Sequence, residues 1–167
     1  AITGQPISAV TICAGSSTPL SVTATGVGIT YQWYNNSGIL SGETSNTYIA
    51  NASGSYYVIV TGTCNAVSSA ETSVTVNQLP QGTLAANTIC VGATGQLTFK
   101  SSVAGTGPYT IVYSDGTTSY TASRVVSAVP FDVLVSPIAT TTYSIVSVTD
   151  ASGCIREAGF TAPTAVL

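Results

Sequence analysis

The sequence predicts an all-β chain folded as two tandem β-sandwich domains, residues 1–78 and 79–167. Three observations predict it. No segment shows a helical period, and short alternating runs are separated by Gly, Asn, Ser and Asp turns. The chain also repeats itself loosely. The first half runs "ICAG … PLSVTAT … YQWY … GSYYVIVTGTC … SVTV", and the second "ICVG … GQLTFKS … GPYTIVYSDG … TTTYSIVSVTDASGC … GFTA". Between them "VNQLPQGT", with Pro80 and Gly82, reads as a short linker, so the boundary falls near Gln78 to Gln81. A length of 167 residues suits two domains of about 80 to 100 residues each.

In chain order, strands are expected in the first half near 7–12, 19–25, 29–35, 46–50, 55–61 and 68–77. In the second half they are expected near 83–88, 95–101, 108–114, 117–126, 131–136, 141–149 and 156–162. Alternation assigns the inward faces. Leu20 and Val22 face in on one strand, Tyr31 and Trp33 on the next, and Tyr56, Val58 and Val60 on a later one. Their counterparts are Leu97 and Phe99, then Tyr109, Ile111 and Tyr113, then Tyr143 and Ile145. Ser147 stands where the first half has Val60. That face is therefore one residue shorter, or the strand shifts its alternation before Val148.

Composition narrows the function. Only 5% of the residues are charged, against about 25% in an average soluble protein, and histidine and methionine are absent. The β-branched content excludes a disordered chain. No apolar run approaches the roughly 20 residues of a membrane-spanning helix, so no membrane insertion is expected. The net charge of −3, with Lys100, Arg124 and Arg156 the only cations, argues against a nucleic-acid partner. A surface of hydroxyls and amides has little self-repulsion and favours self-association. Four cysteines in such a chain read as disulfides outside the cytoplasm, whereas zinc lacks both C-x-x-C spacing and histidine. Without a signal peptide or an initiator Met, the chain reads as a mature protein or an excised segment of a longer secreted one.

The order Cys13, Trp33, Cys64 and the stretch "ASGSYYV" suggest an immunoglobulin-like sandwich. Tyr56 takes the place of the corner tyrosine, two residues before the position of that fold's second cysteine. Val58 occupies that position here, so Val22 and Val58 are expected to fill the space of the central disulfide against Trp33. Tyr143 followed by Ile145 repeats the arrangement. The real cysteines fall elsewhere: Cys13 and Cys90 in A–B turns, Cys64 and Cys154 in F–G loops. In this topology those loops lie at opposite ends of strands about 20 Å long, beyond the roughly 7 Å that a disulfide spans between Cα atoms. In a head-to-tail string Cys13 would meet Cys154, leaving Cys64 and Cys90 for neighbouring subunits or repeats. With another topology, one bond within each domain, Cys13–Cys64 and Cys90–Cys154, is the simpler arrangement. Both stand at this point.

The pattern "ICAGSSTPLSVTA … YQWY … GSYYVIVTGTCNAVSSAETSVTV" resembles the immunoglobulin-like tandem repeats of Bacteroidetes surface proteins associated with type IX secretion. The second half resembles a companion repeat. It differs in having Tyr109 or Ile111 where Trp33 would be, and in a longer F–G loop. The resemblance implies a surface adhesin or filament protein.

Catalytic chemistry finds little support. A hydrolytic triad needs a base and there is no histidine. Of the acids, Glu43, Asp115 and Asp150 sit in Gly/Ser-rich turns, while Glu71, Asp132 and Glu157 complete the set. Calcium needs about six oxygen ligands, and no D-x-D cluster is present, so no cofactor or metal is expected. Trp33 is assigned to the core rather than to a sugar platform, with Tyr56 and Tyr143 as the other core anchors. Tyr34 and Tyr57 alternate with inward residues and point outward as candidate interface residues. The uncharged strands "SVTV", "YVIVT" and "TIVYS" would be hazardous as free edges. They are either buried within each sandwich or covered by strand addition from a neighbour's "AITGQPISAV". The resulting expectation is a non-enzymatic extracellular structural protein, a repeat or subunit of a cell-surface filament or adhesin. Self-association and a surface glycan or protein ligand are the expected partners. The alternative is a carbohydrate- or ligand-binding accessory module of a secreted multidomain protein.

Overall fold

The computed structural model describes residues 1–103, 105–134, 137–162 and 164–167, and among these it is built of strands, turns and loops without a helix. It divides into two units, Ala1–Asn77 and Gln78–Leu167. The first contains β1 (Ile2–Gly4), β2 (Ala9–Cys13), β3 (Thr18–Ser21), β4 (Thr23–Ala24), β5 (Thr30–Asn35) and β6 (Gly38–Ile39), then β7 (Thr47–Ala50), β8 (Gly54–Thr61), β9 (Ala66–Ser68) and β10 (Thr72–Asn77). One layer has the order β2-β10-β8-β5-β6, with β9 also on β8; the other consists of the pairs β1-β4 and β3-β7. All pairs are antiparallel except β2 and β10, which run parallel from Ala9 opposite Ser73 to Cys13 opposite Asn77.

Period-two alternation builds the core between these layers. Leu20, Val22 and Ala50 meet Trp33, Tyr56, Val58, Val60 and Val74. Trp33 lies directly opposite Val58 in the β5–β8 register, and both are fully buried. The buried indole Nε1 donates to the Ser45 carbonyl at 2.9 Å. The Tyr56 hydroxyl donates back to the Ala52 carbonyl at 2.9 Å, which ties the turn before β8 to the core. Burial raises the Tyr56 phenol above its usual range.

Some expectations are corrected here. Tyr31 is only partly buried. The "AITGQPISAV" segment is used at home, as β1 on β4 and β2 on β10. The strands "SVTV" and "YVIVT" lie within β10 and β8, interior to their layer. The run read as one strand over 68–77 breaks at Ser69, because its hydroxyl accepts the Val58 N–H and donates to the Ala70 carbonyl. The short strand β6 goes unannounced in the sequence; it closes a hairpin with Gly38 opposite Asn35.

The second unit contains β11 (Gly82–Ala86), β12 (Gln96–Ser101), β13 (Tyr109–Ser114), β14 (Ser119–Val125), β15 (Pro130–Asp132), β16 (Thr142–Thr149), β17 (Ile155–Arg156) and β18 (Thr164–Val166). One layer is β11-β12-β15, the other β14-β13-β16-β17 with β18 also on β16. The core joins Leu97 and Phe99 to Tyr109, Ile111, Tyr113, Tyr143, Ile145 and Val148. "TIVYS" is interior, flanked by β14 and β16.

The alternation question at Ser147 resolves as a bulge. Tyr113 pairs with Ile145 but Val112 pairs with Ser147, so Val146 is the extra residue, half-exposed, and Val148 becomes the next inward side chain opposite Ile111. This corrects the residue taking the place of Trp33. It is Tyr113, opposite Ile145 as Trp33 is opposite Val58, and neither Tyr109 nor Ile111. Its hydroxyl accepts the Leu134 N–H at 3.0 Å. The strand expected over 156–162 is replaced by β17 and β18. Gly159 and Ala162 adopt left-handed φ of 71° and 49°, which no strand accommodates. The strand expected over 131–136 is observed at Pro130–Asp132, and residues 135 and 136 lie outside those described.

Replacing Tyr56 by Phe removes the Ala52 hydrogen bond and little else. The first unit is expected to lose about 1 kcal/mol of unfolding free energy. A urea titration followed by the fluorescence of Trp33, the only tryptophan, reads this unit alone. An unchanged midpoint would show that the corner bond contributes nothing.

Candidate functional site

The cysteine loops and one patch of outer sheet carry the chemistry this chain has to offer. Cys13 and Cys154 are each disulfide-bonded, while Cys64 and Cys90 are free, exposed thiols. Of the two arrangements left open by the sequence, one bond within each domain is not formed: the pairings Cys13–Cys64 and Cys90–Cys154 are absent because Cys64 and Cys90 are free.

Strand register supplies the reason. Cys13 sits beside Asn77, and β10 runs antiparallel to β8 with Val74 opposite Gly54. Cys13 is thus beyond the first residue of β8, and Cys64 beyond its last. Eight residues of strand separate them by roughly 26 Å at about 3.3 Å per residue. In the second unit Leu167 and Thr141 exchange backbone hydrogen bonds at the start of β16. Ile89 and Val91 line a shallow cleft with Leu167, so Cys90 belongs to that end. Cys154 follows Thr149 at the other end, where the Asp150 carboxylate accepts the amides of Ser152 and Cys154 at 2.9 Å each.

Cys64 lines a half-open cavity of about 270 Å³ with Ile2, Val27, Ile29, Val60 and Val67. Val27 is 79% exposed. The sequence marks Cys64 but not this cavity, which requires the β1–β4 pairing to bring Ile2 beside the β8–β9 turn.

On the opposite face of β5 and β8 from the core, Tyr34 and Tyr57 are register partners. Their rings stack with centroids 5.1 Å apart and planes 7° from parallel. Ile39, opposite Tyr34 on β6, is 62% exposed and extends the row. Trp33 offers no face to a ligand, since it is wholly buried, as are nearly all of Tyr56 and Tyr143.

Glu71, Asp115, Asp132 and Asp150 are each taken up separately. Glu71 accepts the Ser55 hydroxyl, and Asp132 accepts the Gln96 amide at 2.9 Å. Asp115 caps its own turn, accepting the amides of Thr117 and Thr118 and the hydroxyls of Thr117 and Tyr120. The backbone amides of Thr118 and Thr117, then the two hydroxyls, hold its carboxyl well below the usual carboxylate range. The same bond, seen from Tyr120, raises that phenol. No group of three or more acids or cysteines able to hold a metal occurs among the described residues. No helix there is long and apolar enough to cross a membrane.

These two layered sandwiches, the first with a tyrosine corner at Tyr56 and a buried tryptophan opposite Val58, define immunoglobulin-like domains. Residues 4–80 match the family model of the Ig-like domain, CHU_C associated. Among solved structures, the N-terminal four Ig domains of Dscam1 isoform 7.44 align over 99% of this chain and 50% of theirs, at 11% identity and a TM-score of 0.46. Rst D1-D2 aligns over 93% of this chain and 95% of its own, at 14% identity and a TM-score of 0.44. The Ig1-2 module of the Drosophila receptor protein tyrosine phosphatase DLAR aligns over 100% and 96%, at 15% identity and a TM-score of 0.37. The chain spans about half the length of the Dscam1 structure. No curated protein matches it.

An aromatic disulfide reagent added to the folded chain should release two thiol equivalents, from Cys64 and Cys90. Cys13 and Cys154 should add two more only after reduction; four equivalents without reduction would refute the assignment. For Asp115, carboxyl carbon NMR should show ionisation persisting through about pH 3, where an ordinary Asp with a pKa of about 3.9 is mostly protonated. The capped turn is stabilised above the unfolded pKa and loses that stabilisation as pH falls through the depressed folded one. A midpoint in the ordinary range would mean the four donors do not hold the carboxylate.

Proposed function

We propose that this chain is a non-enzymatic structural segment of a secreted cell-surface protein, a repeat or subunit of an adhesin or filament. The observation that carries the proposal is the cysteine placement: two disulfide-bonded cysteines, and two exposed thiols on loops rather than inside either sandwich. Disulfide chemistry of this kind belongs to oxidising, extracellular settings. The charge-poor composition supports association between like surfaces, and the family match of the first unit supports secretion to the surface. The absence of histidine and the separate engagement of Glu71, Asp115, Asp132 and Asp150 in their own hydrogen bonds speak against hydrolytic chemistry.

A second reading, a ligand-binding accessory module, draws on the stacked Tyr34–Tyr57 pair and exposed Ile39. A flat aromatic row with hydroxyl edges is suited to the apolar face of a sugar ring.

Antibody raised against the chain should label intact, unpermeabilised cells of the source organism; labelling that requires lysis would overturn the structural reading. For the second reading, retention on a panel of insoluble polysaccharides should fall at least about tenfold in a Tyr34→Ala, Tyr57→Ala double variant, the loss of about 1.4 kcal/mol. Absence of retention by the unaltered chain would remove it.

A further inference from the structure

A cavity of about 520 Å³ opens in the second unit at the end of β14, within the roughly 300 to 1,000 Å³ of small-ligand sites. Arg124 lines it, and the backbone there is unusual. Tyr109 is opposite Val125 and Ile111 opposite Ala122, so Ser123 and Arg124 together face Thr110 alone. This is a β-bulge, with Arg124 in the left-handed region at φ 60°. Alternation alone would turn Arg124 inward after Tyr120 and Ala122, both packed against the core. The bulge gives the inward place to Val125, which is buried, and leaves Arg124 exposed at the cavity. Left-handed φ disfavours residues other than glycine, asparagine and aspartate, so an arginine held there points to a role beyond the fold.

The cavity offers donors, with no carboxylate among its lining residues. Arg124 has no hydrogen-bond or ionic partner among the described residues, whereas Arg156 is engaged by the Pro80 and Ala158 carbonyls. Ser127 Oγ accepts the Ser101 N–H at 2.9 Å, and its own proton has no acceptor among the described residues. The Gly105 carbonyl is already taken by the Tyr109 hydroxyl at 3.0 Å. A Cβ on Gly105 or Gly107 would come within 3.1 or 3.3 Å of the Tyr109 side chain, so this wall is bare backbone pressed on the ring. Asp150, in the turn whose Ala151 amide donates to Thr106, is buried and accepts the amides of Ser152 and Cys154. Pro108 and Val126, the latter 55% exposed, add an apolar flank.

We propose that this cavity binds a uronic-acid residue of an acidic polysaccharide, with its carboxylate on the Arg124 guanidinium and the Ser127 hydroxyl and its ring against Pro108 and Val126. A planar carboxylate matches the guanidinium fork through two parallel N–H···O bonds. The C–H face of the sugar ring covers the apolar flank, which a bare anion would leave unused. The site goes beyond the structural reading, since it requires neither self-association nor a surface location, and it is separate from the Tyr34–Tyr57 pair of the first unit.

The test titrates the isotope-labelled 167-residue chain with galacturonate at low salt and follows backbone amide shifts by NMR. The amides of Gly105, Gly107 and Ser127 should shift and saturate, polygalacturonate should shift the same set, and neutral galactose should not. Arg124→Gly suits the left-handed backbone, so its unfolding midpoint should not fall, while its dissociation constant for galacturonate should rise at least about tenfold. Arg124→Lys, which keeps the charge without the fork, should fall between. The Tyr34→Ala, Tyr57→Ala double variant should bind as the unaltered chain does. Absence of shifts, equal shifts with galactose, or equal affinity for inorganic phosphate or for the terminal carboxylate of a short peptide would each overturn the proposal. So would a response to the free acid alone, unchanged binding by Arg124→Gly, or loss of binding in the double tyrosine variant. Surface labelling of cells does not depend on any of these outcomes, so the structural reading fails or survives separately.

Discussion

Trp33 and Val58, facing each other across β5 and β8, are the contact around which the first unit is organised. An immunoglobulin domain ordinarily places a cysteine at the Val58 position and ties the two layers together through it. Here Leu20 and Val22 come from the facing layer to meet the indole and the valine, so packing takes the place of that cross-link. Such a junction tolerates no void, because a buried large side chain without its neighbours costs several kcal/mol. It also frees the cysteines for the loops. The second unit solves the same problem with Tyr113 opposite Ile145, a polar-tipped ring whose hydroxyl is satisfied by the Leu134 amide.

With so few charges, polar satisfaction falls to hydroxyls and amides. Thr72, fully buried, donates to the Ile7 carbonyl at 2.6 Å and so tethers the crossing from β1 to β2. Gln32 reaches the Leu40 carbonyl at 2.7 Å and closes the β5–β6 hairpin. In the second unit the Arg156 guanidinium is spent on the Pro80 carbonyl at 2.7 Å. Every buried side-chain nitrogen and oxygen among the described residues has a partner. A charge-poor protein can afford this because neutral groups cost less to bury than ions when both are hydrogen-bonded.

Much of this was legible in the sequence where the signal is local. Leu20 and Val22, Leu97 and Phe99 show their faces because strand alternation has a period of two. The bulge at Val146 was half-legible: Ser147 announced that the face failed, but only pairing with β13 shows which residue is extra. The role of Tyr113 follows from that bulge and was hidden with it. The cysteines were conspicuous, yet their bonding was not, since it depends on which strand ends come together. The wall of apolar residues around Cys64 was invisible for a related reason: Ile2 joins Val27 and Val60 only through its pairing with Ala24, with no motif to mark it. Tyr34 and Tyr57 gave a different kind of signal, because two tyrosines adjacent to inward residues must occupy the other face of their strands, although their stacking needed the register.

The parallel pairing of β2 with β10 bears on how the first unit carries load. Its second and last strands are direct neighbours that run the same way. Tension applied at Ala9 and Asn77 pulls them lengthwise past each other, so the slanted hydrogen bonds of the parallel ladder are strained together rather than peeled one by one. The rupture geometry is that of a lap joint, and a lap joint yields at a higher force than a zip.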